Sequence, residues 1–199
     1  MLAYVSQPQD PANYAMSNID FIHNHETFLS LWQRACACAQ TLAVTPVLDS
    51  LHFDSSNIGT QVFRDLVRDI ANFKGTGEFA VIVLNPDPFS YFHFHFGKYP
   101  GFIFKAHRND DDFFEILMRD PGDSPADAIG LYSEQYVVLP IPGDWFMYAD
   151  RGWDGGTGVL SGPTDVMTFV RETFAFYENP DKASESSCIK NERGKVPPS

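Results

Sequence analysis

The chain has 199 residues, 44% hydrophobic and 15% aromatic, with eighteen phenylalanines and a net charge of -12. That is enough apolar material for one globular domain with a real core, and too much for a disordered chain. The acidity excludes direct nucleic-acid binding, which needs clustered Lys and Arg against phosphate, and it disfavours anionic membranes. It suits a basic protein partner, because complementary charge steers encounter.

Residues 1 to 16 are polar, carry Pro8 and Pro11, and read as a flexible arm. They have neither the basic start nor the apolar run of a signal peptide. No stretch approaches the roughly 18 apolar residues of a membrane span, so a cytoplasmic protein is expected. A single domain is expected over 17–178, opening on Ser17 and Asp20 with the spacing of a helix start. The letters "HNH" at 23 to 25 lack any basic strand-binding surface and carry no nuclease reading.

A helix is predicted from Glu26 to Gln40, with Phe28, Leu31, Trp32, Ala35 and Ala39 on one face. Cys36 and Cys38 lie on it, two apart and so about 200° apart around the axis, poorly placed to share a metal. With Cys188 they make three cysteines, an odd number with no disulfide framework. A second helix is predicted after Asn57 as its cap. Ile58, Val62, Leu66, Ile70 and Phe73 form its apolar stripe, Arg64, Asp65, Arg68 and Asp69 its wet face, and Gly75 and Gly77 its end.

The period then changes. "EFAVIVL" (78–84) is a continuous apolar run of strand length and predicts a strand covered on both faces. After the turn "NPDP", the alternation in "YFHFHF" (91–96) predicts a strand, and "GFIFKAH" (101–107) its hairpin partner. Phe96 then faces Phe102, Phe94 faces Phe104, and Phe92 faces Ala106 on a buried face. His93, His95, Lys105 and His107 fall on the other face. "DDFFEILMRD" (111–120) is ambiguous and is taken as a strand. Strands follow at 134–141, 145–150 and 157–162, then a helix from Pro163 to about Tyr177. The polar stretch 179–199 is expected to be a disordered tail. Helices first, then strands joined by short turns, then one helix predict an α+β fold. A single, mostly antiparallel sheet of about six strands would carry two N-terminal helices and a C-terminal helix.

No catalytic constellation stands out: there is no G-x-S-x-G elbow, no H-E-x-x-H and no Gly-rich phosphate loop, and no cofactor is expected. Two functional readings remain. One is a metal site on His93, His95 and His107, the histidines of the predicted hairpin face, although Lys105 beside them disfavours a cation. The other is a docking surface for a basic protein. Its acidic part is the span 109–127, with Asp110, Asp111, Asp112, Glu115, Asp120, Asp123 and Asp127 against Arg119 as the one base. The spacing there fails the EF-hand pattern. Its second part is the Gly-rich tip Asp150, Arg151, Trp153 and Asp154, because aromatic and Arg side chains anchor binding surfaces. Beside these two functional readings stands a structural one, a domain presented through a Phe-rich sheet edge.

The segment "QYVVLPIPGDWFMYADRGWDGGTGVLSGPTDVMTFV" combines a Trp-containing strand, an Asp-Arg turn, a Val-Leu strand and a last helix. In this it resembles small acidic bacterial proteins such as the immunity proteins of polymorphic toxin systems. The resemblance covers under a fifth of the chain. It implies a non-enzymatic, cytoplasmic inhibitor that binds and neutralises a basic toxin or effector.

Overall fold

The structure is a computed structural model that describes residues 19–44, 50–152, 156–176 and 189–191. The expected arm at 1–16, Ser17, Tyr177 and most of the expected tail lie outside the described residues; residues 19–24 are described and not helical, so the helix start expected at Ser17 and Asp20 is not formed and the first helix begins at His25. In chain order the elements are α1 (His25–Val44), β1 (Ser50–Asp54), α2 (Gln61–Lys74), β2 (Glu78–Asn85), a wide π turn (Pro88–His93) running into α3 (Phe94–Phe96), and β3 (Gly101–Lys105). There follow α4 (Asp110–Leu117), α5 (Ile129–Tyr132), β4 (Gln135–Ile141), β5 (Phe146–Asp150), β6 (Thr157–Ser161), α6 (Thr164–Thr173), β7 (Phe174–Ala175) and β8 (Lys190–Asn191).

The fold is α+β. Six strands form one sheet in the order β1-β6-β5-β4-β2-β3, and every neighbouring pair is antiparallel. Both faces are covered. Phe28, Leu31 and Ala35 of α1 pack on Ala80, Ile82, Val137 and Leu139. The opposite face, with Phe79, Val81, Phe102, Phe104, Val138 and Leu160, is covered by buried side chains of α2, α4 and α6. β2 therefore sends alternate residues into two cores, which is why its sequence is apolar without a break. Among the described residues no helix is long and apolar enough to cross a membrane.

Three predictions need correction. The stretch 91–96 is helical, not a strand. Asp87 accepts hydrogen bonds from the backbone N–H of Phe89 and Ser90, Pro88 occupies the first turn, and Gly97 closes the segment at φ +70. This capping overrides the two-residue alternation. β3 pairs with β2 instead, so Phe102 and Phe104 face Val81 and Phe79, and Phe94 is 77% exposed. The stretch 111–120 is also helical over most of its length: Asn109 caps α4 and three aspartates fill its first turn, where the helix dipole favours negative charge. The cap of α2 is Thr60, whose side chain accepts from Phe63 N–H, while Asn57 sits in the preceding 3-10 turn.

The sixth strand of the sheet is β1, a stretch for which the sequence predicts no element. Within the expected tail, Ile189 is buried and Lys190–Asn191 pair with Phe174–Ala175. At these three residues the chain has structure.

A further correction concerns Arg64: predicted on the wet face of α2, it is fully buried. Its guanidinium lies 4.8 Å from the Phe104 ring centroid and 5.7 Å from those of Phe79 and Phe113. It donates to the carbonyls of Ala106 (2.8 Å) and Arg108 (3.1 Å) and forms an ion pair with Asp110 at 3.0 Å.

Candidate functional site

β2, β5 and β1 end, and β4 and β6 begin, at one end of the sheet: Asn85 pairs with Gln135, Gln135 with Asp150, Asp150 with Thr157, and Thr157 with Asp54. The connections 86–100 and 118–134, with Arg151 and Gly152, lie at this end. They touch one another. Tyr91 donates to Asp127 at 2.9 Å, a side chain at Gly122 would meet the Phe96 ring at 2.6 Å, and the Asn85 amide donates to Glu134.

A cleft of about 310 Å³ opens here, lined by Leu131, Tyr132, Ser133, Glu134, Asp150, Arg151 and Gly152. Its floor is set by Arg151. The Arg151 N–H donates to the Glu134 carbonyl at 2.7 Å, Nη2 donates to the Gly130 carbonyl at 2.6 Å, and the guanidinium lies 5.6 Å from the Tyr136 ring centroid. Burial pushes the Arg151 pKa down. Tyr136 is itself buried and donates to the Ser55 carbonyl at 2.6 Å; burial pushes its phenol well up.

Asp150 accepts from Gln135 Nε2 (2.7 Å), the Gly152 N–H (3.2 Å) and Tyr148 OH (3.3 Å). Burial first, then the Asp150 charge and hydrogen bond, push the Tyr148 pKa up to about 12. Gly130 lets α5 approach the end of α4: a Cβ there would stand 2.8 Å from the Leu117 carbonyl oxygen.

The exposed apolar surface gathers at the same end. Six large apolar side chains are exposed among the described residues. Tyr91, Phe94, Met118, Leu131 and Tyr132 belong to the connections just described, and only Phe73 does not. Phe73 stacks on Phe169 at 4.5 Å, between α2 and α6.

The two halves of the predicted docking surface are not adjacent. Asp150 and Arg151 line the cleft, while Trp153 and Asp154 lie outside the described residues. Asp110, Asp111 and Asp112 start α4 at the other end of the sheet, past Lys105, which pairs with Glu78. Asp110 is bound to Arg64, Arg68 and Gln61, and Asp112 to Arg108 at 2.6 Å. Asp111 alone of the three is exposed without a basic partner among the described residues.

The rest of the acidic span is also engaged. Asp120 is buried and accepts from the N–H groups of Gly122, Ser124 and Asp127, which folds the loop around it. Asp123 pairs with Arg119 and Lys98. This stretch is therefore internal architecture to a larger extent than a free acidic face.

The three histidines do not converge. His93 stacks on Tyr99 at 4.3 Å, and the Tyr99 ring stacks in turn on Phe28 at 4.3 Å. His95 lies at the edges of Tyr91 and Phe94. Two residues apart on a helical segment, the two imidazoles point to different sides. His107 lies beyond the far end of β3, about 17 Å of strand away. Among the described residues no group of three His, Cys, Asp or Glu side chains stands close enough to hold a metal ion.

Leu131, Tyr132, Ser133 and Glu134 escaped the sequence reading. Their signal is in "IGLYSE", three large apolar residues with no periodic partner directly after a Pro/Gly/Asp loop. Comparison with protein-family models, with curated proteins and with solved structures gives no match, so the cleft is interpreted from its own residues.

Proposed function

We propose that the chain is a non-enzymatic, acidic protein-binding module that acts in the cytoplasm and holds a basic partner at the cleft end of its sheet. An immunity-type inhibitor, which neutralises a basic toxin or effector by occupying it, is the member of this class that its charge and its closing segment favour. The observation that carries the reading is the concentration of exposed apolar side chains around the cleft, with Leu131 55% and Tyr132 59% exposed. Exposed aromatic clusters on a soluble protein mark interaction sites. The net charge of -12 adds attraction for a cationic surface at long range.

The test is native mass spectrometry of the chain purified from its own host, together with the double variant Leu131→Ser, Tyr132→Ala. The expected result is a stoichiometric complex with a basic protein, weakened at least about a hundredfold in the double variant, as for two truncated anchor residues. A complex that forms equally well with the double variant would remove the cleft end from the interface.

A further inference from the structure

Away from the cleft, Phe73 near the end of α2 is 46% exposed, and its ring stacks on Phe169 of α6 at 4.5 Å with the two planes 6° apart. Hollows of about 430 and 500 Å³ flank the pair. Both rings line each hollow; Asn72 and Thr173 extend the first, and Thr168 and Glu172 the second. The result is one aromatic groove between α2 and α6. The charged side chains on its lining, Asp69, Asp165 and Glu172, are all acidic, and Lys74 shares the charge of Asp165 at 3.1 Å.

The chain itself is aimed at this groove. β7 begins directly after α6, and β8 pairs with it antiparallel, Ala175 with Lys190 and Phe174 with Asn191. From Lys190 to Asn191 the backbone therefore runs back towards Thr173, the residue of α6 that lines the first hollow. Along the helix axis Phe169 lies about 7.5 Å from Phe174, and Thr164, at the far end of the second hollow, about 15 Å. The sequence after Asn191 is Glu-Arg-Gly-Lys-Val-Pro-Pro-Ser. Extended as polyproline II, a segment of that length spans about 25 Å, enough to cross both hollows.

We infer that residues 192–199 cover the Phe73–Phe169 groove, an intramolecular contact separate from the docking function at the cleft end. The chemistry of the segment matches the groove. Consecutive prolines hold the chain extended before it binds, so little ordering entropy opposes docking, and proline rings pack on aromatic faces. Val196, Pro197 and Pro198 supply the apolar contact. Arg193 and Lys195 supply cations for the rim that Asp165 and Glu172 make negative. The β7–β8 pairing holds the segment next to the groove, which gives it an effective concentration that a free ligand lacks.

The test uses the whole chain, labelled with nitrogen-15, beside the full-length variant Val196→Ser, Pro197→Ser, Pro198→Ser, with a synthetic peptide of residues 192–199 as the probe. The triple variant is expected to shift the amide signals of Asn72, Phe73, Thr168 and Phe169, and to make both rings more reactive towards hydroxyl radicals. The peptide is expected to bind the triple variant at least about tenfold more tightly than the native chain, whose groove its own segment already fills. Glu172→Lys in the triple variant is expected to weaken the peptide.

Groove signals and ring reactivities that are the same in the native chain and the triple variant would overturn the inference. So would equal binding of the peptide to both, which would leave the groove open to a separate partner. Groove signals that move on dilution of the native chain would overturn it as well, and would assign the groove to a second copy.

Discussion

Asp110→Asn is expected to lower the unfolding free energy at pH 7 by about 3 kcal/mol, the usual range for removing one partner of a buried ion pair. The side chain of Arg64 is 0% exposed and that of Asp110 only 25%. Asparagine would keep the shape but remove the charge that opposes the guanidinium most strongly, leaving it among three phenylalanine rings with Asp65 as its remaining opposing charge. Burial raises the Asp110 pKa, but the hydrogen bonds of Gln61 and Arg68 and the charges of Arg64 and Arg68 outweigh it. The net result lies below the ordinary value of 3.8.

The sign of the pH dependence follows. A carboxyl whose folded pKa is depressed contributes stability above its unfolded value and loses it as the pH falls through its folded value. Urea unfolding of both proteins should therefore show the full gap at neutral pH and a gap that closes below about pH 4. A gap unchanged in acid, or one within about 0.5 kcal/mol at pH 7, the usual scatter of surface substitutions, would mean that Arg64 is held without Asp110.

Gly158→Ala is the second large effect, expected at about 3 kcal/mol, the upper part of the range for overpacking a core. Gly158 pairs with Phe53 across β1 and β6 and with Ala149 on β5. A Cβ at Gly158 would stand 2.3 Å from two atoms of the Phe53 ring. That ring is buried and packs against Phe63 at 6.0 Å, so it has little room to retreat. The loss should be coupled to the ring. In Phe53→Leu the added methyl group meets a smaller neighbour, so the double variant should be more stable than the sum of the two losses by at least about 1 kcal/mol. Strictly additive losses in urea unfolding would show that the clash is relieved by the backbone and not by Phe53.

The legible parts of the fold were those where sequence period and tertiary environment agree. β2 was visible because both its faces are buried, and β4, β5 and β6 because short Gly- and Pro-containing turns separate them. The alternation of 91–96 misleads because the periodicity of six aromatic and histidine residues is overridden by the Asp87-Pro88 cap that starts a helical turn. α4 was missed for the same reason at Asn109. β1 gave too little signal: five residues, with a histidine and two end positions half buried.

The site was half legible. Asp150 and Arg151 were named from the tip, and they line the cleft. Asp110 and Asp112 were read as free acid, but their partners Arg64, Arg68 and Arg108 come from α2 and the β3–α4 turn, contacts that no local pattern announces. The exposure of Leu131 and Tyr132 depends on α5 being a single turn that no other element covers, which is a tertiary fact.

The central claim, that a partner docks at the cleft end of the sheet, is tested most directly by hydroxyl-radical footprinting of the chain alone and in its complex. The Phe73–Phe169 stack near the opposite end serves as the internal reference. The expected result is protection of Phe94, Leu131 and Tyr132 in the complex with Phe73 unchanged. Protection of Phe73 and Phe169, with the cleft residues as reactive as in the free chain, would contradict the claim and move the interface to α2 and α6.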